Sequence, residues 1–184
     1  RSLAGKPAVD HHPTVAVGVE QATQALEMTR EAFAPYGILL DRRGSIDVDI
    51  GMGVPSITGA TADPRPFQFE FMARHKHTMQ VFSPLAGSQA IICVAPANGR
   101  EAPDVDKVVA FLVEGRLPYA YFRGTWHTPP FATGDWYSYL VVDRSGTLDD
   151  DYELADYHRS DLIFTKEMLL ADPPEHTPLR REGE

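Results

Sequence analysis

Two polar and aromatic segments decide the fold of this chain: residues 73–87 (ARHKHTMQVFSPLAG) and residues 119–131 (YAYFRGTWHTPPF). Each combines histidines with turn-forming glycine and proline beside short apolar stretches, as side chains at strand ends do. In a small β-barrel, the side chains of a strand alternate between the lumen and the exterior. The pattern therefore predicts that His75, Gln80 and His127 converge on one cavity from different strands.

The segments around these motifs also favour strands. Residues 45–50 (SIDVDI) and 67–72 (FQFEFM) alternate polar and apolar side chains, as half-buried strands do. Further short strands are predicted, with turn signals between them, at residues 80–84, 89–95, 107–113, 119–123 and 136–143. Residues 51–66 are rich in Gly, Pro, Ser and Thr, so we expect a loop there. This spacing predicts a barrel or a sandwich.

One short helix is predicted before the strands, within residues 17–34. Thr29 is its expected N-cap, followed by the acidic side chain of Glu31 in the first turn. Gly37 is expected to end the helix as its C′ residue. Downstream, Gly87 is expected to close a hairpin, and residues 161–170 are predicted as a terminal helix or strand.

The composition is that of an ordinary globular protein. The chain has 184 residues, of which 43% are hydrophobic and 23% charged, so we expect about one domain. We divide it into a flexible N-terminal segment (1–20), a single folded domain (21–170) and a Pro-rich charged tail (171–184).

Charge and cysteine content exclude several classes of protein. The formal net charge of −9 disfavours a nucleic-acid partner, because a phosphate backbone requires a basic surface. The apolar runs are far shorter than the ~20 residues that span a bilayer, so we expect no membrane partner and a cytoplasmic location. The single cysteine, Cys93, excludes an intrachain disulfide framework and is expected to be a small buried apolar residue.

The spacing of the two motifs resembles that of the cupin barrel. In cupins, the second histidine of the first motif is followed after four residues by a glutamate, and after six more by a glycine. His75, Gln80 and Gly87 have this spacing, and Gly124 with His127 matches the second motif. The resemblance implies a mainly β fold, a double-stranded β-helix barrel with a short N-terminal helix and a few peripheral helical turns.

The departures from the cupin pattern match one branch of that superfamily. Ala73 stands where the first cupin histidine would be, and Gln80 replaces the glutamate. The chain resembles the ureidoglycolate lyase family over roughly residues 25–145. The segments that carry this resemblance are EAFAPYG (31–37), RHKHTMQVFSPLAG (74–87), YFRGTWHTPPF (121–131) and YSYLVVDR (137–144).

The resemblance implies a homodimeric enzyme of purine (allantoin) degradation that splits ureidoglycolate, a small carboxylate, into glyoxylate and urea. It also implies a divalent metal, nickel or zinc. By matched position, the candidate catalytic residues are His75, His127 and Arg123. The candidate substrate-binding residues are Gln80, Arg74, Trp126 and Tyr121. The candidate metal ligands are His75, His77, Gln80 and His127, where His77 is included because residues i and i+2 share one face of a strand.

The expected chemistry follows from the substrate. Ureidoglycolate carries a hydroxyl, a ureido nitrogen and a carboxylate on one carbon, so cleavage needs a base for the hydroxyl and an acid for the departing nitrogen. Neutral histidines suit both tasks near pH 7. Arg123 or a metal would hold the carboxylate and stabilise charge on the oxygen. The sequence leaves open whether His75 and His127 bind the metal or form the acid/base pair.

Residues 50–56 (IGMGVPS) leave other functions open. They lack the Asn of the family's Asn-x-Gly segment and an Arg that could hold the substrate carboxylate. The alternatives are a cupin lyase, hydrolase or isomerase acting on a different small hydroxy- or keto-acid, and a non-enzymatic small-acid-binding cupin. An iron oxygenase is disfavoured because the carboxylate of its two-histidine, one-carboxylate set is missing. The acidic run 149–151 is predicted as a solvated turn.

Overall fold

The computed structural model describes residues 25–67 and 71–156 of the chain. The predicted segments 1–20, 161–170 and 171–184 lie outside the described residues. Within the described ranges, no helix has both the length and the apolar character needed to cross a membrane.

Strands make up most of the regular structure in these ranges. In chain order they are β1 (Leu26–Glu27), β2 (Gly37–Leu39), β3 (Pro55–Ala62), β4 (Phe71–His75), β5 (Gln80–Pro84), β6 (Ala90–Ala95), β7 (Val109–Val113), β8 (Tyr119–Tyr121), β9 (Trp126–His127), β10 (Phe131–Ala132), β11 (Tyr137–Arg144) and β12 (Tyr152–Asp156). The helices are α1 (Arg30–Phe33) and α2 (Thr147–Asp150), with a 3-10 turn at Val105–Lys107.

The strands form two sheets. One has the order β1-β7-β6-β9-β4-β12, with β10 also paired to β6, and the other has the order β2-β8-β5-β11-β3. The chain crosses between the sheets repeatedly, from β4 to β5 to β6 and again from β8 to β12. This architecture confirms the predicted mainly β, cupin-type barrel.

The core lies on both faces of the central strand β6. Ile92 and Val94 belong to the cluster between the two sheets, whereas Ile91 and Cys93 belong to a second buried cluster on the opposite face. Because successive side chains of a strand point to opposite faces, an uninterrupted apolar run fits a strand that is buried on both sides. Cys93 is buried as predicted, and burial raises the pKa of its thiol to about 12.

The structure confirms the strands predicted at 80–84, 89–95, 107–113, 119–123 and 136–143, with small shifts of their ends. Two predictions before them are wrong. Residues 45–50 pair with neither sheet, although their side chains alternate between exposed and half-buried. Residues of the predicted loop 51–66 instead form β3, which pairs with β11 from Pro55 opposite Arg144 to Ala62 opposite Tyr137. β3 is the edge strand of its sheet and Pro55 is its first residue, where Pro is tolerated because its missing N–H costs no ladder hydrogen bond.

The predicted helix cap is present, but two glycines have roles that differ from the predictions. Thr29 caps α1 as expected, accepting a hydrogen bond from the amide of Ala32 at 3.2 Å. Gly37, however, is the first residue of β2 rather than a helix C′ residue. It is needed for space, because a Cβ there would lie 1.8 Å from the carbonyl oxygen of Ala120. Gly87 closes no hairpin, since β5 and β6 belong to different sheets.

Gly37→Ala tests this close approach of β2 to β8. We expect it to lower the free energy of unfolding by about 3 kcal/mol or more, because two backbone segments must move apart. Urea denaturation measures the change. Gly59→Ala is the matched control in strand β3, since a Cβ there has no heavy atom within 4 Å. Equal stability of the two variants would contradict the steric argument.

Candidate active site

A cavity of about 340 Å³ opens between the two sheets. Side chains from six strands, the β9–β10 connection and α2 line it: Thr58, Ala73, His75, Gln80, Phe82, His127, Thr128, Pro129, Pro130, Tyr139, Val141, Asp143, Leu148 and Tyr152. An apolar wall with a few convergent polar groups, in a volume of this size, is typical of a small-molecule site. His75, Gln80 and His127 all line it, so the predicted convergence of these three side chains is confirmed.

His127 is held rigidly in the wall of the cavity. It lies directly opposite Ala73 in the pairing of β9 with β4, and its ring stacks on that of Tyr121 with centroids 4.4 Å apart. Its Nδ1 lies 3.0 Å from the carbonyl oxygen of Thr125. A carbonyl only accepts, so Nδ1 carries the proton and Nε2 of the neutral ring is unprotonated. Burial lowers the pKa of His127 from 6.5 to about 4, which keeps the ring neutral at pH 7.

His75 stands two residues beyond Ala73, at the end of β4. Its ring centroid is 6.1 Å from that of His127, and its Nδ1 lies 3.1 Å from the hydroxyl oxygen of Thr147. Burial lowers the pKa of His75, while the nearby carboxylates of Asp151 and Asp143 oppose that shift. The cavity thus contains two neutral imidazoles in different electrostatic surroundings.

Gln80 and Asp143 form a polar pair on the same wall. Gln80 Nε2 donates a hydrogen bond to Asp143 Oδ2 at 3.1 Å. The amide that replaces the cupin glutamate therefore has one of its donors engaged by a carboxylate from β11.

The sequence of this chain matches a known family in the region that builds the cavity. The profile described as "Ureidoglycolate lyase" matches residues 51–160. The chain belongs to the ureidoglycolate lyase family.

Curated relatives agree with this membership. The protein named ureidoglycolate lyase of Pseudomonas savastanoi pv. phaseolicola is 34% identical over 139 residues, which cover 65% of this chain and 81% of that protein. The protein of the same name from Pseudomonas paraeruginosa is 32% identical over 167 residues, covering 79% and 93%. A solved structure of dTDP-4-dehydrorhamnose 3,5-epimerase from Elizabethkingia anophelis NUHP1 has 14% identity and a TM-score of 0.41, over 73% of this chain and 80% of that one.

Arg74 and Trp126 lie behind the wall of this ureidoglycolate lyase-family cavity and not in its lining. The Arg74 guanidinium pairs with Glu153 at 2.7 Å and lies 4.3 Å from the centroid of the Trp126 ring. Alternation along β4 explains this, because Ala73 and His75 face the cavity and Arg74 between them faces the other side. The structure therefore places neither Arg74 nor Trp126 where it would touch a substrate in the cavity.

Tyr121 and Arg123 are also outside the lining. Tyr121 is buried behind two lining residues, with its ring stacked on that of His127 and packed edge-on against that of Phe82. Arg123 follows β8 in an exposed turn and forms an ion pair with Asp49. The sequence predicts Arg123 beside His127 because the two residues belong to one motif. In the structure, His127 lines the cavity and Arg123, in the turn before it, does not.

His77 does not join the other histidines. β4 ends at His75, so the assumption that His75 and His77 share a strand face is wrong. His77 is exposed in the following turn and is absent from the cavity lining. In the described ranges, no group of three or more His, Cys, Asp or Glu side chains is placed to hold a metal ion.

Arg65 is an arginine at the rim that the sequence analysis overlooked. Its Nη2 donates to the carbonyl oxygen of Pro129 at 2.8 Å, and its guanidinium lies 3.7 Å from the centroid of the Phe131 ring. Burial raises the pKa of the cavity-lining Tyr139, and the positive charge of Arg65 opposes this shift. Arg65 follows β3, which the sequence predicted as loop, so no motif drew attention to it.

Asp151 is the second residue that sequence reasoning missed. The run 149–151 was expected to be a solvated turn, yet the side chain of Asp151 is 0% exposed. It receives hydrogen bonds at 2.7 Å from the backbone amide of His77 and from the hydroxyl of Thr78. Three consecutive aspartates look alike in the sequence, and only the contacts of Asp151 with His77 and Thr78, far away in the chain, show which one is buried.

The lowered pKa of His127 makes stability depend on pH. Between pH 6.5 and about 4, the unfolded chain binds a proton at this residue and the folded chain does not, so stability falls as the pH falls through this window. The contribution is about 3 kcal/mol at most. Urea denaturation at several pH values should show a smaller loss for His127→Gln than for the native sequence. His77→Gln, which changes an exposed histidine, is the control, and parallel curves for all three proteins would contradict the assignment.

Proposed function

We propose that this protein cleaves ureidoglycolate to glyoxylate and urea. The observation that carries the proposal is the pair of neutral imidazoles on the wall of one cavity, in a chain that belongs to the ureidoglycolate lyase family. The relatives' names supply the substrate. The same match disfavours a cupin acting on a different small acid, and a cupin that only binds one.

In this proposal, His75 carries the proton. Two carboxylates near His75 support its basicity against burial, whereas the pKa of His127 is only about 4. His75 Nε2 takes the hydroxyl proton while the carbon–oxygen double bond of glyoxylate forms. The carbon–nitrogen bond breaks, its electron pair stays on the ureido nitrogen, and the imidazolium returns the proton to that nitrogen. No co-reactant is needed, because the proton lost by oxygen ends on urea.

His127 has a complementary role. Its Nδ1–H is occupied by the carbonyl of Thr125, so Nε2 is available to accept a hydrogen bond. An N–H of the ureido group is a suitable donor, and such a bond would orient the leaving group. The stacked ring of Tyr121 holds the imidazole in place for this purpose.

The described residues do not fit a resident nickel or zinc ion. His75 and His127 supply two imidazoles, but Gln80 adds only a neutral amide that is paired with Asp143. Transition metals prefer a third imidazole or a carboxylate, and no group of three such side chains is present in the described ranges. The steps above therefore use this chain's own side chains, and metal binding stays a prediction from the resemblance.

We also propose, from the family resemblance, that the protein acts in purine (allantoin) degradation as a cytoplasmic homodimer. The wall of the cavity, as far as the structure describes it, is assembled within one chain.

Substitution of the histidines tests the catalytic assignment. We expect His75→Gln to lower kcat for ureidoglycolate by about 10²–10⁴-fold, the usual loss on removal of a general base. Release of glyoxylate and urea provides the assay. His77→Gln is the matched control and should retain native activity, because His77 is exposed outside the cavity. Native kcat in a folded His75→Gln variant would overturn the mechanism.

Arg65 and Arg123 form a second matched pair of variants. The substrate carboxylate needs a cation. The described residues of the cavity lining include no Arg or Lys, and Arg65 lies at its rim. We expect Arg65→Gln to raise KM by about tenfold, because charge-assisted hydrogen bonds are the strong ones. Arg123→Gln should leave KM unchanged. The opposite ranking of the two variants would restore Arg123 as the carboxylate ligand.

A further inference from the structure

A buried chain of hydrogen-bonding groups lies behind His75. Its members are the hydroxyls of Thr147 and Thr78 and the carboxylate of Asp151, and all of them are buried. None lines the cavity, so none is placed to touch a substrate there. Their arrangement bears on the state of the His75 ring, because a histidine's tautomer is set by the hydrogen bond that its other nitrogen makes.

The carboxylate fixes the direction of this chain. An ionised carboxylate only accepts hydrogen bonds, so the Thr78 hydroxyl donates to Asp151 Oδ2 at 2.7 Å. The Thr147 hydroxyl oxygen lies 3.4 Å from the same Oδ2 and 3.3 Å from the oxygen of Thr78. Asp151 Oδ2 and the Thr78 oxygen can each accept the single hydrogen of the Thr147 hydroxyl. The lone pairs of Thr147 are then left for His75.

The last link reaches the imidazole. Thr147 Oγ1 lies 3.1 Å from His75 Nδ1, and Asp151 Oδ2 is 3.9 Å from the same nitrogen. If the Thr147 hydrogen points towards the carboxylate, its oxygen accepts from His75 Nδ1–H. The neutral ring is then unprotonated at Nε2.

We propose that Thr147 is a positioning residue, which together with Asp151 holds His75 in the tautomer that carries its proton on Nδ1. The inference rests on the proposed function, in which His75 Nε2 accepts the substrate's hydroxyl proton. It adds two residues from α2 and the turn after it to the machinery of a reaction whose base comes from β4. A carboxylate that orients a catalytic histidine follows the same logic as the third member of a catalytic triad.

Thr147→Val and Thr147→Ser separate the hydroxyl from the packing. Thr147→Val keeps the shape and removes the acceptor, so we expect kcat to fall by about 10–100-fold with little change in KM, a loss typical of groups that orient functional side chains. Thr147→Ser keeps the hydroxyl and should restore kcat. Thr133→Val is the control: it removes another buried hydroxyl, which donates to the carbonyl of Gln89 away from the cavity.

A spectroscopic measurement is independent of turnover. Proton–nitrogen NMR correlations of the imidazole rings, assigned with His75→Gln, report which nitrogen of His75 carries the proton. We expect Nδ1–H in the native protein and in Thr147→Ser, and a shift towards Nε2–H in Thr147→Val. Asp151→Asn should shift it in the same way, because an amide can donate to Thr147 and reverse the chain.

The outcomes distinguish this inference from the proposed function. An unchanged Nδ1–H signal in Thr147→Val, or a Thr147→Ser variant as impaired as Thr147→Val, overturns the positioning role even if the native enzyme cleaves ureidoglycolate. The native protein can also fail to turn over ureidoglycolate while Thr147→Val shows the expected tautomer shift. That result supports the positioning role and contradicts the proposed function.

Discussion

The pairing of Ala73 with His127 is the contact on which the candidate site depends. Directly opposed residues of an antiparallel pair share one face of the sheet, so this single register position places His127 and, two residues along β4, His75 on the same wall. The small side chain of Ala73 leaves space beside the imidazole. A shift of β4 by one residue would turn His75 out of the cavity and bring in Arg74, and the same shift of β9 would exchange His127 for Trp126.

Burial then sets the chemistry of the two histidines. Desolvation lowers the pKa of both and keeps them neutral, while hydrogen bonds at Nδ1 to Thr125 and Thr147 leave each Nε2 available. The rings differ in their nearest charges, since the carboxylates of Asp143 and Asp151 act on His75. The same residue type can therefore serve as proton carrier on one strand and as hydrogen-bond acceptor on another.

Local signals predicted the parts of the fold that carry their own stabilisation. The cap at Thr29 and the apolar run of β6 were found because each satisfies its requirements within a few residues. β3 was missed because its hydrogen bonds are supplied by β11, far along the chain, and its own composition is that of a loop. Arg65, which follows β3, was missed for the same reason.

The sequence by itself determined the family, the barrel and the convergence of His75, Gln80 and His127, because motif spacing and strand periodicity are local properties. The tertiary structure alone decided which charged groups act on that site. It left Arg123 in an exposed ion pair with Asp49 and buried Asp151 behind His75. Burial and charge proximity arise only when segments distant in the chain pack together, so no local pattern separates a solvated aspartate from a buried one.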